Sequence, residues 1–344
     1  MIWLVWRQHR QQALFALLGL AALAAFLVPT GMQMHREFNR SGLPDCLPAA
    51  IRAKSVQVRD PAQGTQQPDA CQELAGEFAG RFGSRGTVGI LLWFLPLFAG
   101  LFWGAPLVAR EVEHGTHRLV WTQGVSRLRW ALAKFGLVGG GVVLVAAGYA
   151  LLVTWWRAPL DQTTGDRFPW PLFDLEGLVP VGYALFAVAL GVFAGVLTRR
   201  SQPAMAITLV GFLATRLVVD LLARPRFLAP LRRIFPVMGN QAPNELAGDW
   251  VLRAGVYNAQ GGRLAGGTFG SYSYTFCGAP PGAPPDDPAT VRCLAEFGPG
   301  AYNQQLFHPA ERFWLFQGIE TALFVALAVL LLVAAVHWVR RRIS

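Results

Sequence analysis

Apolar residues in this chain gather into six long runs, at about 13–30, 87–109, 131–156, 178–197, 203–222 and 313–339, with polar stretches between them. Each run approaches the roughly 20 residues that cross a hydrocarbon core of about 30 Å. The pattern predicts an all-α polytopic membrane protein with six transmembrane helices. Pro96 and Pro106 fall inside the second run, where each removes a backbone donor and predicts a kink.

The polar stretches differ in kind. Residues 1–12 place Trp3, Leu4, Val5 and Trp6 ahead of Arg7, His9 and Arg10, which predicts a helix lying in the membrane interface. The run that follows resembles the core of a signal peptide, but no small-residue cleavage site comes after it, so it reads as a retained first span. Residues 31–86 form a polar loop with some helix near 69–81. A short acidic loop ends at Glu176, and the turn TRRSQP separates the fourth run from the fifth. Residues 223–312 are rich in Gly, Pro, Asn and Tyr; alternation at 249–257 and 270–276 predicts short strands in a small external subdomain. Its first part, 224–234, is basic and apolar together and reads as an interfacial helix.

Composition agrees, since 53% of the 344 residues are hydrophobic, too many for an ordinary soluble domain. The net charge of +10 does not point to nucleic acid, because the arginines sit at span ends and in loops. Segments 1–12, 109–134, 198–203 and 340–344 hold twelve Lys and Arg in 49 residues, against seventeen in about 165 on the other side. Density in short segments sets topology, so both termini are expected in the cytoplasm. The cysteines fall as Cys46 with Cys71 and Cys277 with Cys293, each pair within one long external loop. An oxidising compartment predicts two disulfides, with reduced thiols as the alternative.

Catalytic motifs are missing: no GxxxxGK[ST] to cradle nucleotide phosphates, no GxSxG and no HExxH. Glu111 with His114 and Glu113 with His117 have helical spacing for a metal, but a solvated charged helix with intrahelical pairs is the favoured account and no metal is expected. Residues 110–130 are longer than a connector needs. The break at Gly115 and Thr116 divides the stretch into two short helices, an elbow suited to docking on a soluble partner. Within the spans, Arg216 and Glu320 stand at similar depth, about 20 Å from one end of their runs and about 10 Å from the other. They are expected to pair in the outer half, with Gln317 one turn above and Asp220 competing for Arg216. The spacings Gly100–Gly104, Gly136–Gly140 and Gly191–Gly195 permit close helix approach, and no interface is assigned to them.

The sequence AREVEHGTHRLVWTQGVSRLRWALAK resembles the cytoplasmic coupling segment of permease subunits in type 2 ABC exporters. There, Glu-x-Glu-x-Gly-Thr precedes a Thr-Gln-x-x-Ser-Arg turn. Glu111, Glu113, Gly115 and Thr116 match, then Thr122, Gln123, Ser126 and Arg127. The two ends of the chain also resemble one bacterial branch of these permeases, so the likeness covers nearly the whole sequence. It implies a homodimer of permease copies in the bacterial plasma membrane, working with two ABC ATP-binding subunits that hold ATP and Mg. It implies no cofactor and no metal in this chain and no nucleic-acid partner. Coupling would fall to Glu111, Glu113, Gly115 and Thr116, and the translocation path or gate to Arg216, Gln317 and Glu320. Rival readings are a membrane enzyme acting on lipid and a non-transporting receptor.

Overall fold

The computed structural model describes residues 2–47, 70–83, 92–115, 126–165, 167–237, 248–266 and 288–342. Six helical stretches are long and apolar enough to cross a membrane: Trp6–Arg40, Leu95–Glu113, Arg127–Thr164, Val179–Thr198, Ser201–Arg226 and Ala310–Arg341. We call them spans 1 to 6.

Span 1 belongs to a single helix, α1 (Ile2–Arg40). The expected separate interfacial helix is therefore corrected: residues 2–12 are the first turns of α1. The stretch RQHRQQALFALL contains neither Gly nor Pro, so nothing stops the helix from propagating. The helix α1 runs on through Pro29 and Gly31, about ten residues into what read as loop. Its second half buries Leu27, Met34 and Phe38 against Tyr149, Val153 and Trp156 of span 3. A short helix, α2 (Ala70–Gly83), adds Phe78 and Phe82 to this cluster. The disulfide Cys46–Cys71 ties it to the end of α1. Cys277, the side chain of Cys293 and the expected strand at 270–276 lie outside the described residues.

Span 2 is broken as its prolines require. A short helix, α3 (Leu95–Ala99), leads into a π-helical turn at Gly100–Gly104, then α4 (Pro106–Glu113). Pro106 has no N–H to give, and the wider turn before it, closed by Ala105 N–H donating to the Gly100 carbonyl at 2.9 Å, absorbs the break. Span 3 is α5 (Arg127–Thr164), longer than a bilayer needs, and span 4 is α6 (Val179–Thr198).

Span 4 is the hub. Two thirds (67%) of its apolar window is buried within the protein, against 22% for spans 5 and 6 and 6% for span 1. Its crossing with span 2 is backbone on backbone. A Cβ on Gly100 would meet the Ala187 carbonyl at 2.6 Å, one on Gly191 would meet Ala105 N at 2.6 Å, and one on Gly195 the Ala105 carbonyl at 2.5 Å. Two of the three glycine spacings thus face each other across one interface, while Gly136 and Gly140 touch nothing within 4 Å. In lipid, where apolar burial gives helices no preference for one another, such dispersion contact favours one helix partner over another.

Span 5 comprises α7 (Ser201–Val218) and a π turn, Val219–Ala223. Beyond it the expected interfacial helix at 224–234 is replaced by a 3-10 turn, Arg224–Arg226, and strand β1 (Leu231–Pro236). Pro225 and Pro230 interrupt helix propagation there. With β2 (Trp250–Tyr257), β3 (Arg263–Gly266) and β4 (Tyr302–His308), β1 builds an antiparallel sheet in the order β1-β4-β2-β3. A helix, α8 (Pro288–Phe297), precedes β4, and span 6 continues into α9 (Phe313–Arg342). The sheet is seated on the bundle by aromatic contacts, Trp250 stacked on Phe168 at 5.5 Å and His308 against Phe316 at 4.8 Å.

Gly191→Val is expected to destabilise the protein by about 3 kcal/mol, the upper range for overpacking, and Gly140→Ala by less than about 0.5 kcal/mol. Thermal unfolding of the purified protein checks this; equal losses would refute the close crossing of spans 2 and 4.

Candidate functional site

At one end of the bundle, the last turn of span 2, just before the elbow, is bonded to spans 3 and 5. Gly115 (φ 70) ends α4 in the left-handed conformation that glycine adopts without strain. Just before it, Lys134 of span 3, itself buried, donates to Glu111 at 2.5 Å and lies 5.2 Å from the Trp130 ring. Glu113 accepts from both the N–H and hydroxyl of Ser201, at 3.2 Å each, in the turn between spans 4 and 5. On the far side of the elbow Ser126 caps span 3, its hydroxyl accepting from Arg129 N–H at 3.3 Å. Arg127 reaches the Arg340 carbonyl of span 6 at 3.4 Å. His114 bonds back to its own helix through the Arg110 carbonyl. Thr116, His117, Thr122 and Gln123 lie outside the described residues.

The opposite end, which carries the sheet, holds a buried charge cluster. Arg224 is enclosed among three carboxylates: it donates to Asp174 at 2.6 Å, to Asp220 at 2.5 Å and to Glu320 at 2.8 Å. Arg216 donates to the other oxygen of Asp174 at 2.5 Å and lies over the Tyr183 ring at 3.5 Å. The Tyr183 hydroxyl sits between Asp174, at 3.1 Å, and Glu320, while Trp93 of the segment leading into span 2 donates to Asp174 at 2.9 Å. The expected direct pair of Arg216 with Glu320 is thus corrected. Both residues are in the cluster, but Arg216 pairs with Asp174 and Glu320 with Arg224. Asp220 likewise pairs with Arg224, not with Arg216. The winning partner, Asp174, comes from the connector between spans 3 and 4 and brings two acceptor oxygens to two guanidiniums at once. Burial alone would raise the Asp174 carboxyl, but Arg216 and Arg224 outweigh it and hold it below the ordinary value.

Gln317 has a different task from its neighbours. Its carbonyl accepts from the Leu178 and Val179 N–H groups at 3.0 Å each, and its amide donates to the Phe173 carbonyl at 2.8 Å. It caps span 4 from span 6, serving orphan donors that Leu178 has no side-chain oxygen to satisfy. Gly177 (φ 70) makes room, since a Cβ there would sit 2.7 Å from the Gln317 oxygen.

A second buried group lies beside the first. Arg157 pairs with Asp161 at 2.7 Å and Arg167 with Glu176 at 3.0 Å. Burial first, and then the neighbouring Asp161 carboxylate, push the Glu176 carboxyl from 4.5 up to about 8. The sequence reading singled out none of Asp174, Arg224, Tyr183 and Glu176 as site residues, noting only a short acidic loop that ends at Glu176. The signal was two carboxylates, Asp174 and Glu176, within five residues of the start of span 4 at Val179.

Between the first half of span 1 and spans 2 and 3 an apolar cleft of about 580 Å³ opens, lined by Phe15, Gly19, Phe26, Phe98, Phe102 and Tyr149 among others.

The family model described as ABC-2 membrane transporter related matches residues 17–224. That stretch contains spans 1 to 5, the elbow and every member of the Arg224 cluster except Glu320. Neither a curated protein nor a solved structure matches the chain.

Arg224→Gln takes a partner from the buried Asp174 and Glu320 and from the partly exposed Asp220 and is expected to cost about 3–5 kcal/mol, read as a fall in the midpoint of thermal unfolding. The raised Glu176 carboxyl holds its proton more tightly folded than unfolded. It therefore adds stability that is complete below about pH 4.5 and lost as pH climbs through about 8. Glu176→Gln should remove that loss, so the stabilities of wild type and variant diverge as pH rises from about 4.5 to about 8 and stay apart by a constant amount above it; parallel curves across that window would count against the buried proton.

Proposed function

The chain belongs to the ABC-2 membrane transporter related family, and on that premise we propose that it is the translocation subunit of an ATP-driven exporter. Permeases of this family generally partner with ATP-binding subunits, so the chain is a transport subunit and not an enzyme. In the proposed assembly two copies work with two such subunits, which bind ATP and Mg. The sparsely buried faces of spans 1 and 5 are where a second copy packs.

The observation that carries this reading is the elbow. A segment that merely joined two helices has no need of Glu111 bonded into span 3 and Glu113 bonded into the turn between spans 4 and 5. Bonds of that kind turn a push on the elbow into displacement of three helices together. Glu111, Glu113, Gly115 and Thr116 are the coupling residues in this reading. The elbow end faces the cytoplasm of a bacterial cell, favoured by the density of bases there. The sheet and the Cys46–Cys71 disulfide face outward, where a disulfide persists.

Arg216, Gln317 and Glu320 belong to a gate at the outer end and not to a substrate pocket, because each is taken up by a partner within the protein. Opening that end exchanges these contacts for others, and the desolvated charges make a half-open state unfavourable.

Coupling is tested by copurification and hydrolysis. A subunit with a Walker lysine should copurify with the wild type, and Glu111→Ala with Glu113→Ala should lower transport-linked ATP hydrolysis about tenfold while leaving the fold intact. ATPase partners that bind and couple normally to the double variant would remove the elbow from the mechanism.

A further inference from the structure

The junction between span 5 and the sheet holds a feature that transport as described leaves unused. Where the helix ends, Leu221, Pro225, Arg226, Leu228 and Leu252 enclose an open pocket of about 480 Å³. Arg226 is exposed there, and among the described residues its bond, 2.6 Å to the Leu222 carbonyl, goes to a neutral acceptor of its own helix. Directly below, Leu221 and Leu222 are 60% and 55% exposed, at the depth where span 5 leaves the hydrocarbon.

The sheet adds charge of one sign. Its four strands carry four arginines and no carboxylate. Arg233 is neutralised by Asp249 at 2.5 Å. Arg232 and Arg253 are exposed and have no ion pair among the described residues. Both are register partners of Leu306, so they occupy one row on one face. That row stands two residues from His308, whose ring bonds to the Pro225 carbonyl at 3.2 Å, which places it about 7 Å of strand rise from the pocket.

We propose that this junction binds an anionic phospholipid of the leaflet at the sheet end, its phosphate held by Arg226, Arg232 and Arg253 and its glycerol and upper acyl carbons against Leu221, Leu228 and Leu252. The apolar wall continuous with lipid-exposed leucines favours a membrane-borne phosphate over a soluble one, and the unpaired guanidiniums favour an anionic headgroup over a zwitterion. A second copy of this face is excluded as the occupant by like charge. The bound lipid would brace span 5, which carries Arg216 and Asp220 into the charge cluster, against the sheet. The proposal needs only a membrane-spanning chain and does not rest on export.

The test is lipid retention by the full-length protein in detergent, followed by native mass spectrometry with phosphatidylglycerol or phosphatidylcholine added. Wild type should retain phosphatidylglycerol in clear preference. Each arginine near an anionic surface contributes about fivefold, so Arg226→Gln with Arg253→Gln should cut that preference about 25-fold. Arg200→Gln, in the turn at the other end, should leave it unchanged. Leu228→Trp fills the pocket without altering charge and should also displace the lipid, which keeps the idea testable if the double variant misfolds. Equal retention of the two lipids, an unchanged preference in both pocket variants, or displacement by millimolar inorganic phosphate would each overturn it.

Discussion

A guanidinium cannot be left alone in a low-dielectric interior, and Arg224 makes that constraint the organising fact of the sheet end. Its carboxylate partners come from the connector before span 4, from its own helix and from span 6. None can be withdrawn without stranding charge, so these segments are held as one unit. Asp174 extends the unit to Arg216 and Trp93, and Gln317 fastens the start of span 4 beside it. Such a network adds less to net stability than its contacts imply, because desolvation consumes most of the Coulomb gain. What it supplies is a single permitted arrangement.

The other end is organised differently. There the described contacts gather beside a helix terminus made by Gly115, with Lys134 buried against Glu111 and Glu113 accepting from Ser201. Between the two ends runs span 4, crossed by span 2 at glycine-to-backbone distance.

The sheet subdomain joins these themes to the membrane surface. Its seat is aromatic, its strands are basic, and its edge stands over the end of span 5. Arg226, Arg232 and Arg253 there have no ion pair among the described residues, in contrast to the cluster a short distance inward where each ionised side chain has a partner. The difference follows from solvation: a guanidinium at the interface is hydrated or meets a headgroup, whereas a buried one must be neutralised by the chain itself.

Much of the architecture was legible in the sequence because it depends on local composition. Runs of about 20 apolar residues specify spans wherever the rest of the chain goes, Pro106 breaks its helix through its own missing N–H, and Cys46 and Cys71 lie close enough along the chain to meet. The stop at Gly115 was legible for the same reason, as a glycine in a polar stretch after an apolar run. Neighbour identity was not. Depth along a helix gave Arg216 and Glu320 the same height, but height leaves the facing direction open, and a connector aspartate took the position between them. Three glycine spacings looked alike, yet only two met, since spacing does not encode which helix lies opposite. Residues 224–234 read as an interfacial helix, but β4, some seventy residues later, supplied hydrogen-bond partners that make 231–236 a strand. Local physics settled which elements form; only the folded chain, by bringing distant groups within a few ångströms of one another, decided which charges pair and which surfaces touch.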